Sequence, residues 1–225
     1  MIKQMTGLCA VALIAMPAVA ATPRDILTNA AFNARDKATA LAQVAQAEAG
    51  ANATLARTPG DREAQLTKAM AIGYRAKLTK SRADAVAARD RFNALAAANP
   101  RDPEAQAVVA GWNIDAVTTL GGFIASTALG AKKATGLAAL DRSVALAGNR
   151  AMFPGLAALL RLTLDGADPK ARGLAEAATR GATPTALDRV IQRSATAILV
   201  PVRAGNAKAA QAMAKQLLPF GRVAK

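Results

Sequence analysis

The sequence predicts an all-α protein of antiparallel helix pairs stacked on one another, and three observations predict it. Apolar residues recur at helical spacing, with alanine dominant. Alternating, β-branched strand patterns are nearly absent. Turn residues fall at helix-length intervals: Thr58-Pro59-Gly60, Asn99-Pro100-Arg101-Asp102-Pro103, Gly148-Asn149, Asp165-Gly166-Ala167-Asp168-Pro169, Thr183-Pro184 and Gly205-Asn206.

The chain opens on a leader. Lys3, an apolar run from Leu8 to Met16, Pro17 and then Ala18-Val19-Ala20 follow the order of a secretory signal peptide. The run is shorter than the roughly 20 residues that span a bilayer, and polar Thr22, Arg24 and Asp25 follow it. Cys9 stands at the front of the run, where a lipoprotein cysteine would stand behind it. The expectation is a signal peptide over residues 1–20, cleaved after Ala20, export to the periplasm, and one helical-repeat domain over residues 21–225.

Helices are then expected at 23–33, 36–57, 61–79, 82–98, 103–128, 132–147, 151–164, 169–180, 184–203 and 207–218. Thr22-Pro23, Asp102-Pro103, Asp168-Pro169 and Thr183-Pro184 each place a capping side chain before a proline at the first helical position. Ser81 and Asp84 fit a capping box. Short turns between so many helices make sequence neighbours antiparallel, as in a bundle or a stack of helix pairs.

Composition excludes much chemistry. The chain has no histidine, and its one cysteine lies in the leader. No disulfide, no cysteine or histidine metal site and no imidazole base are therefore expected. The acidic pairs Asp61 with Glu63, Asp102 with Glu104 and Asp165 with Asp168 stand at helix starts, where acids cap free N–H groups. No catalytic residue, cofactor or metal is expected, and the protein reads as a non-enzyme. The glycine-rich stretches Leu120–Phe123 and Ala128–Lys133 lack phosphate-loop spacing and read as close packing or a kink.

The formal charge is +14, which favours anionic partners. Nucleic acid is disfavoured for an exported chain with aromatics at 3%. Anionic lipid, anionic glycan and acidic envelope proteins remain. The basic groups are Arg75, Lys77, Lys80 and Arg82, and Arg189, Arg193, Arg203 and Lys208; Arg189 and Arg193 share a helix face.

Between Ser81 and Ala105 the chain reads SRADAVAARDRFNALAAANPRDPEA. This resembles the second helix of a tetratricopeptide repeat running into the next repeat, with Ala88, Phe92 and Pro100 at the small, aromatic and proline positions. Leu137 to Asn149 resembles the same helix, with Leu140 and Gly148 in place of the aromatic and the proline. Weaker echoes lie at Ala171–Ala178 and Ala207–Leu218. The spacing from Pro100 to Gly148 exceeds the family's repeat, and the ordered Trp, Leu-Gly and Tyr of its first helices are missing. The resemblance covers residues 61–219 and implies a short tetratricopeptide-like solenoid or compact helical-repeat domain, with a groove lined by the first helices. It is similar to exported bacterial proteins of this kind, including periplasmic partners of solute transporters. In that register Phe92 belongs in the core.

The least ordinary segment is Gly111-Trp112-Asn113-Ile114-Asp115, with the single tryptophan beside two hydrogen-bonding side chains inside an expected helix. A buried indole N–H needs an acceptor, and helical geometry lets at most one of Asn113 and Asp115 share Trp112's face. The candidate binding residues are therefore Trp112, Asn113 and Asp115, with Arg189 and Arg193 as the alternative basic face. The leading expectation is an interaction scaffold or ligand-groove module for another envelope protein or a small ligand. The second is a basic binder of anionic lipid or glycan.

Overall fold

Most helices begin where a side chain takes over a free N–H group. In the computed structural model, which describes residues 21–223, Thr22 caps α1 (Pro23–Phe32) in a reciprocal capping box with Asp25. Asp36 caps α2 (Lys37–Arg57), Asp61 caps α3 (Arg62–Thr79), Ser81 caps α4 (Arg82–Ala98) and Asp102 caps α5 (Pro103–Leu120). The leader read at residues 1–20 lies outside the described residues.

Three boundaries shift from the sequence reading, each for a physical reason. The helix expected over 103–128 stops at Leu120, because Gly121 adopts φ 79° and ψ 154°, which a side chain would strain. A short turn, α6 (Gly122–Ile124), and a π-helical turn (Ala125–Leu129) follow, ending at Gly130 with φ 72°. The Thr183-Pro184 start moves to Thr185, whose hydroxyl and Asp188 form a capping box. The Asp168-Pro169 start moves into α9 (Ala171–Arg180), since Asp168 accepts the Lys170 N–H instead. At Ser81 the cap holds, but Asp84 turns to the Arg75 guanidinium, at 2.8 and 3.0 Å, in place of the reciprocal bond.

The remaining helices are α7 (Lys133–Leu146), α8 (Met152–Leu164), α10 (Ala186–Arg203) and α11 (Ala207–Leu217). Each major helix packs on the next along the chain, so the molecule is all-α and made of stacked helix pairs: α1/α2, α3/α4, α5/α7, α8/α9 and α10/α11. Alanine makes these contacts close. Ala88 and Phe92 of α4 are buried against Gly73 of α3, where an added Cβ would stand 3.4 Å from Ala88 and 3.5 Å from Phe92. Phe92 is thus core, as its register predicts. Leu140 and Phe153 anchor the later pairs, both fully buried.

The stack curves back on itself. α1 also packs on α10, and the Phe220 N–H donates to the Ala31 carbonyl at 2.7 Å. The Phe220 ring meets Tyr74 of α3 edge-on at 5.0 Å. The first and last described elements thereby meet at α1, and the first helices of the pairs face a shared centre. Among the described residues no helix is long and apolar enough to cross a membrane.

Candidate functional site

That centre is a cavity of about 160 Å³. Its walls come mainly from the first helices α1, α3, α5, α8 and α10, with Phe92 of α4 and the Leu218-Pro219 turn closing the gaps. The lining is mostly apolar: Phe32, Met70, Met152, Leu156 and Ile191 supply much of it. Methionines at such a surface adapt to an occupant's shape.

Gly111 explains part of the empty space. It sits mid-helix in α5, where glycine costs about 1 kcal/mol relative to alanine, and an added Cβ would meet nothing within 4 Å. Packing does not require a glycine there. Its missing side chain is cavity volume.

The cavity's two ends carry different polar groups. At the N-terminal ends of the first helices, charges alternate in a chain: Glu63 to Arg24 at 3.1 Å, Arg24 to Glu104 at 2.6 Å, Glu104 to Arg150 at 3.0 Å and Arg150 to Asp188 at 3.0 Å. This joins α3, α1, α5, the turn before α8, and α10. Asp188 is fully buried and also accepts the Thr185 hydroxyl at 2.6 Å and the Met152 N–H at 3.1 Å. Burial alone would raise its carboxyl, but Thr185, Arg150 and Met152 together hold it below the ordinary 3.8. The Arg150 guanidinium lies over the Phe153 ring at 5.1 Å.

Toward the C-terminal ends of α3 and α5 stands one ion pair, Lys77 to Asp115 at 2.5 Å, with side chains 31% and 38% exposed. Tyr74 lines the wall between Arg24 and this pair, and burial pushes its phenol up to about 12. Its hydroxyl makes no hydrogen bond to another described residue, which leaves it available to an occupant.

Of the sequence candidates, Trp112 and Asp115 both border the cavity, three residues apart on one face of α5. The indole N–H donates to the Ala85 carbonyl at 3.1 Å, so Trp112 offers its ring surface rather than a donor. Asn113 is buried away from the cavity. Its amide donates to the Val109 carbonyl and accepts the Lys132 N–H, both at 2.9 Å, tying α5 to the start of α7. Arg189 and Arg193 are both exposed on α10 but open onto separate recesses: Arg189 onto a polar cleft beside Thr22 and Glu63, Arg193 onto one beside Asn33 and Gln216. They do not form one site with each other, and the recess at Arg189 shares Arg24 and Glu104 with the central cavity.

Arg24, Tyr74 and Glu104 border the cavity without having stood out in the sequence. Glu104 reads there as a helix-start acid, and only the fold shows that it bridges two arginines. Among the described residues, no group of three or more His, Cys, Asp or Glu gathers to hold a metal. The acids of the three sequence pairs meet other needs: Asp61, Asp102, Asp165 and Asp168 accept backbone N–H groups at helix starts and turns, and Glu63 and Glu104 pair with arginines. Comparison with protein-family models, curated proteins and solved structures finds no match.

Proposed function

We propose that this chain is a non-enzymatic binding module of the bacterial envelope, which holds an apolar side chain of a protein partner or the apolar body of a small ligand in its central cavity. The observation that carries the reading is the cavity itself: helices from all five pairs contribute to one apolar wall, and a mid-helix glycine leaves space that packing would fill. Binding pockets are typically apolar, with few convergent polar groups. Here those are the Tyr74 hydroxyl and the Lys77–Asp115 pair, which would orient an occupant's polar end.

The tetratricopeptide-like register of α4 and α5 supports the same reading, since it puts first helices on the binding face. The leader at residues 1–20 supports a periplasmic location. The chemistry points away from catalysis, because the acids here are engaged as caps and arginine partners.

Trp112 is the only tryptophan and borders the cavity, so its fluorescence reports occupancy directly. A cavity of about 150 Å³ with an apolar lining is known to admit benzene. Titration with benzene and with short alkyl alcohols is expected to change Trp112 emission saturably, with a matching rise in melting temperature. An unchanged emission and melting temperature across that series would contradict the reading.

A further inference from the structure

Among the described residues, three of the four large apolar side chains that stand exposed gather at one point: Leu120 at 40%, Phe123 at 82% and Ile124 at 54%. They lie around the Gly121 break, on the segment that joins α5 to α7. We propose that this apex seats in an anionic lipid bilayer, with Phe123 as its deepest side chain and the surrounding cations on the lipid head groups.

The charge around the apex selects the occupant. From Ala116 to Leu140 the chain has no acidic residue, and Lys132 and Lys133 follow the turn, both exposed. α4 adds two guanidiniums: Arg82 donates to the Ala128 carbonyl at 3.1 Å and Arg89 to the Leu129 carbonyl at 2.7 Å. Arg89 is shared with Asp90, at 2.8 Å. Arg82 has no such acid within ion-pairing distance among the described residues, and Lys80 is exposed at the adjoining α3–α4 turn. An apolar turn flanked by lysine and arginine is the pattern of interfacial lipid binding.

Shape argues the same way. A stable protein interface covers about 800 Å² per partner, far more than three side chains on one turn present. A bilayer needs no complementary surface, and it accepts a protrusion whose lysines reach outward to the phosphates. Gly121, at φ 79°, lets the chain leave α5 at this point, so that Phe123 stands exposed without breaking a packed contact of α5. Seating of the apex does not depend on the cavity being a binding site.

The test is co-sedimentation of the full chain with vesicles of phosphatidylglycerol and phosphatidylcholine, and with phosphatidylcholine alone. Every variant carries the same residues 1–20, so differences between variants report the apex. The parent is expected to bind the anionic vesicles more tightly. Phe123→Ser should weaken that binding about tenfold, the scale of one buried aromatic side chain, and Lys132→Ala or Lys133→Ala about fivefold at low salt. In Phe123→Trp, emission in excess of the Trp112 signal should shift to the blue on anionic vesicles and be quenched by brominated lipid. Parent-like binding by both Phe123→Ser and Ile124→Ser would overturn the proposal. So would an excess emission in Phe123→Trp that brominated lipid leaves unquenched, equal binding of the parent to both vesicle types, or a parent dimer that Phe123→Ser dissolves, which would make the apex a contact between copies.

Discussion

At one end of the central cavity Glu63, Arg24, Glu104, Arg150 and Asp188 neutralise one another across four helices and a turn, whereas at the other a single half-exposed pair, Lys77 and Asp115, stands beside the Tyr74 hydroxyl and the face of Trp112. The first arrangement ties α1 and α10 to α3 and α5 and so closes the curved stack. The second joins only α3 and α5. A buried charge in a chain is costly to orphan, while an exposed pair is nearly free to lose. The contrast assigns a structural role to the first end and leaves the second as the one whose polar groups the fold needs least.

The largest effect should come from the closed end. Asp188→Ala removes a fully buried carboxylate, leaves the Thr185 hydroxyl and the Met152 N–H without their acceptor, and leaves Arg150 with Glu104 alone. A loss of about 3–5 kcal/mol in urea unfolding is expected, the scale of breaking a buried pair from one side. A midpoint equal to the parent's would mean that the charge chain does not hold the stack closed.

The charge chain and the cavity wall at Tyr74 should also respond to opposite extremes of pH. Asp188 is held below 3.8 in the fold, so its contribution is complete above that value and is lost as pH falls through the lower native one. Tyr74 is raised from 10.0 to about 12, so its contribution is present below 10 and is lost as pH rises toward 12. Tyr74 is the only tyrosine, which makes its titration clean. Phenolate absorbance should appear with a midpoint near 12 in the folded protein; a midpoint near 10 would show the hydroxyl open to water.

The smallest effect belongs to the open end. Lys77→Ala should cost under about 1 kcal/mol, because the pair is partly exposed and screened by salt. The same variant should alter the affinity for ligands with a polar end more than for benzene. A loss as large as that of Asp188→Ala would erase the distinction between the two ends.

Helix starts were legible in the sequence wherever the capping residue was also the nearest acceptor, as at Thr22, Asp61 and Asp102. They were displaced where a better motif lay two residues on, as with Thr185 and Asp188. The glycines at 121 and 122 were visible as a kink, but only the positive φ of Gly121 shows that α5 ends there outright. For the site, helical geometry already implied that one of Asn113 and Asp115 would turn away from Trp112. Which one did so depended on the turn carrying Lys132, nineteen positions along, whose N–H takes the Asn113 amide. A groove lined by the first helices was implied by the repeat resemblance, but its closure into a cavity was not legible, because each first helix contributes only a few residues to it and closure rests on Phe220 reaching Ala31. No local periodicity encodes such a meeting.

The central claim is that the space beside Gly111 exists to be occupied, and Gly111→Leu tests it most directly. Leucine at this position places a side chain where an added Cβ meets nothing within 4 Å, and it removes a mid-helix glycine worth about 1 kcal/mol in propensity. The variant is expected to melt at or above the parent's temperature while the Trp112 response to benzene disappears. A variant that folds as well as the parent and still gives a saturable benzene response of unchanged affinity would contradict the account.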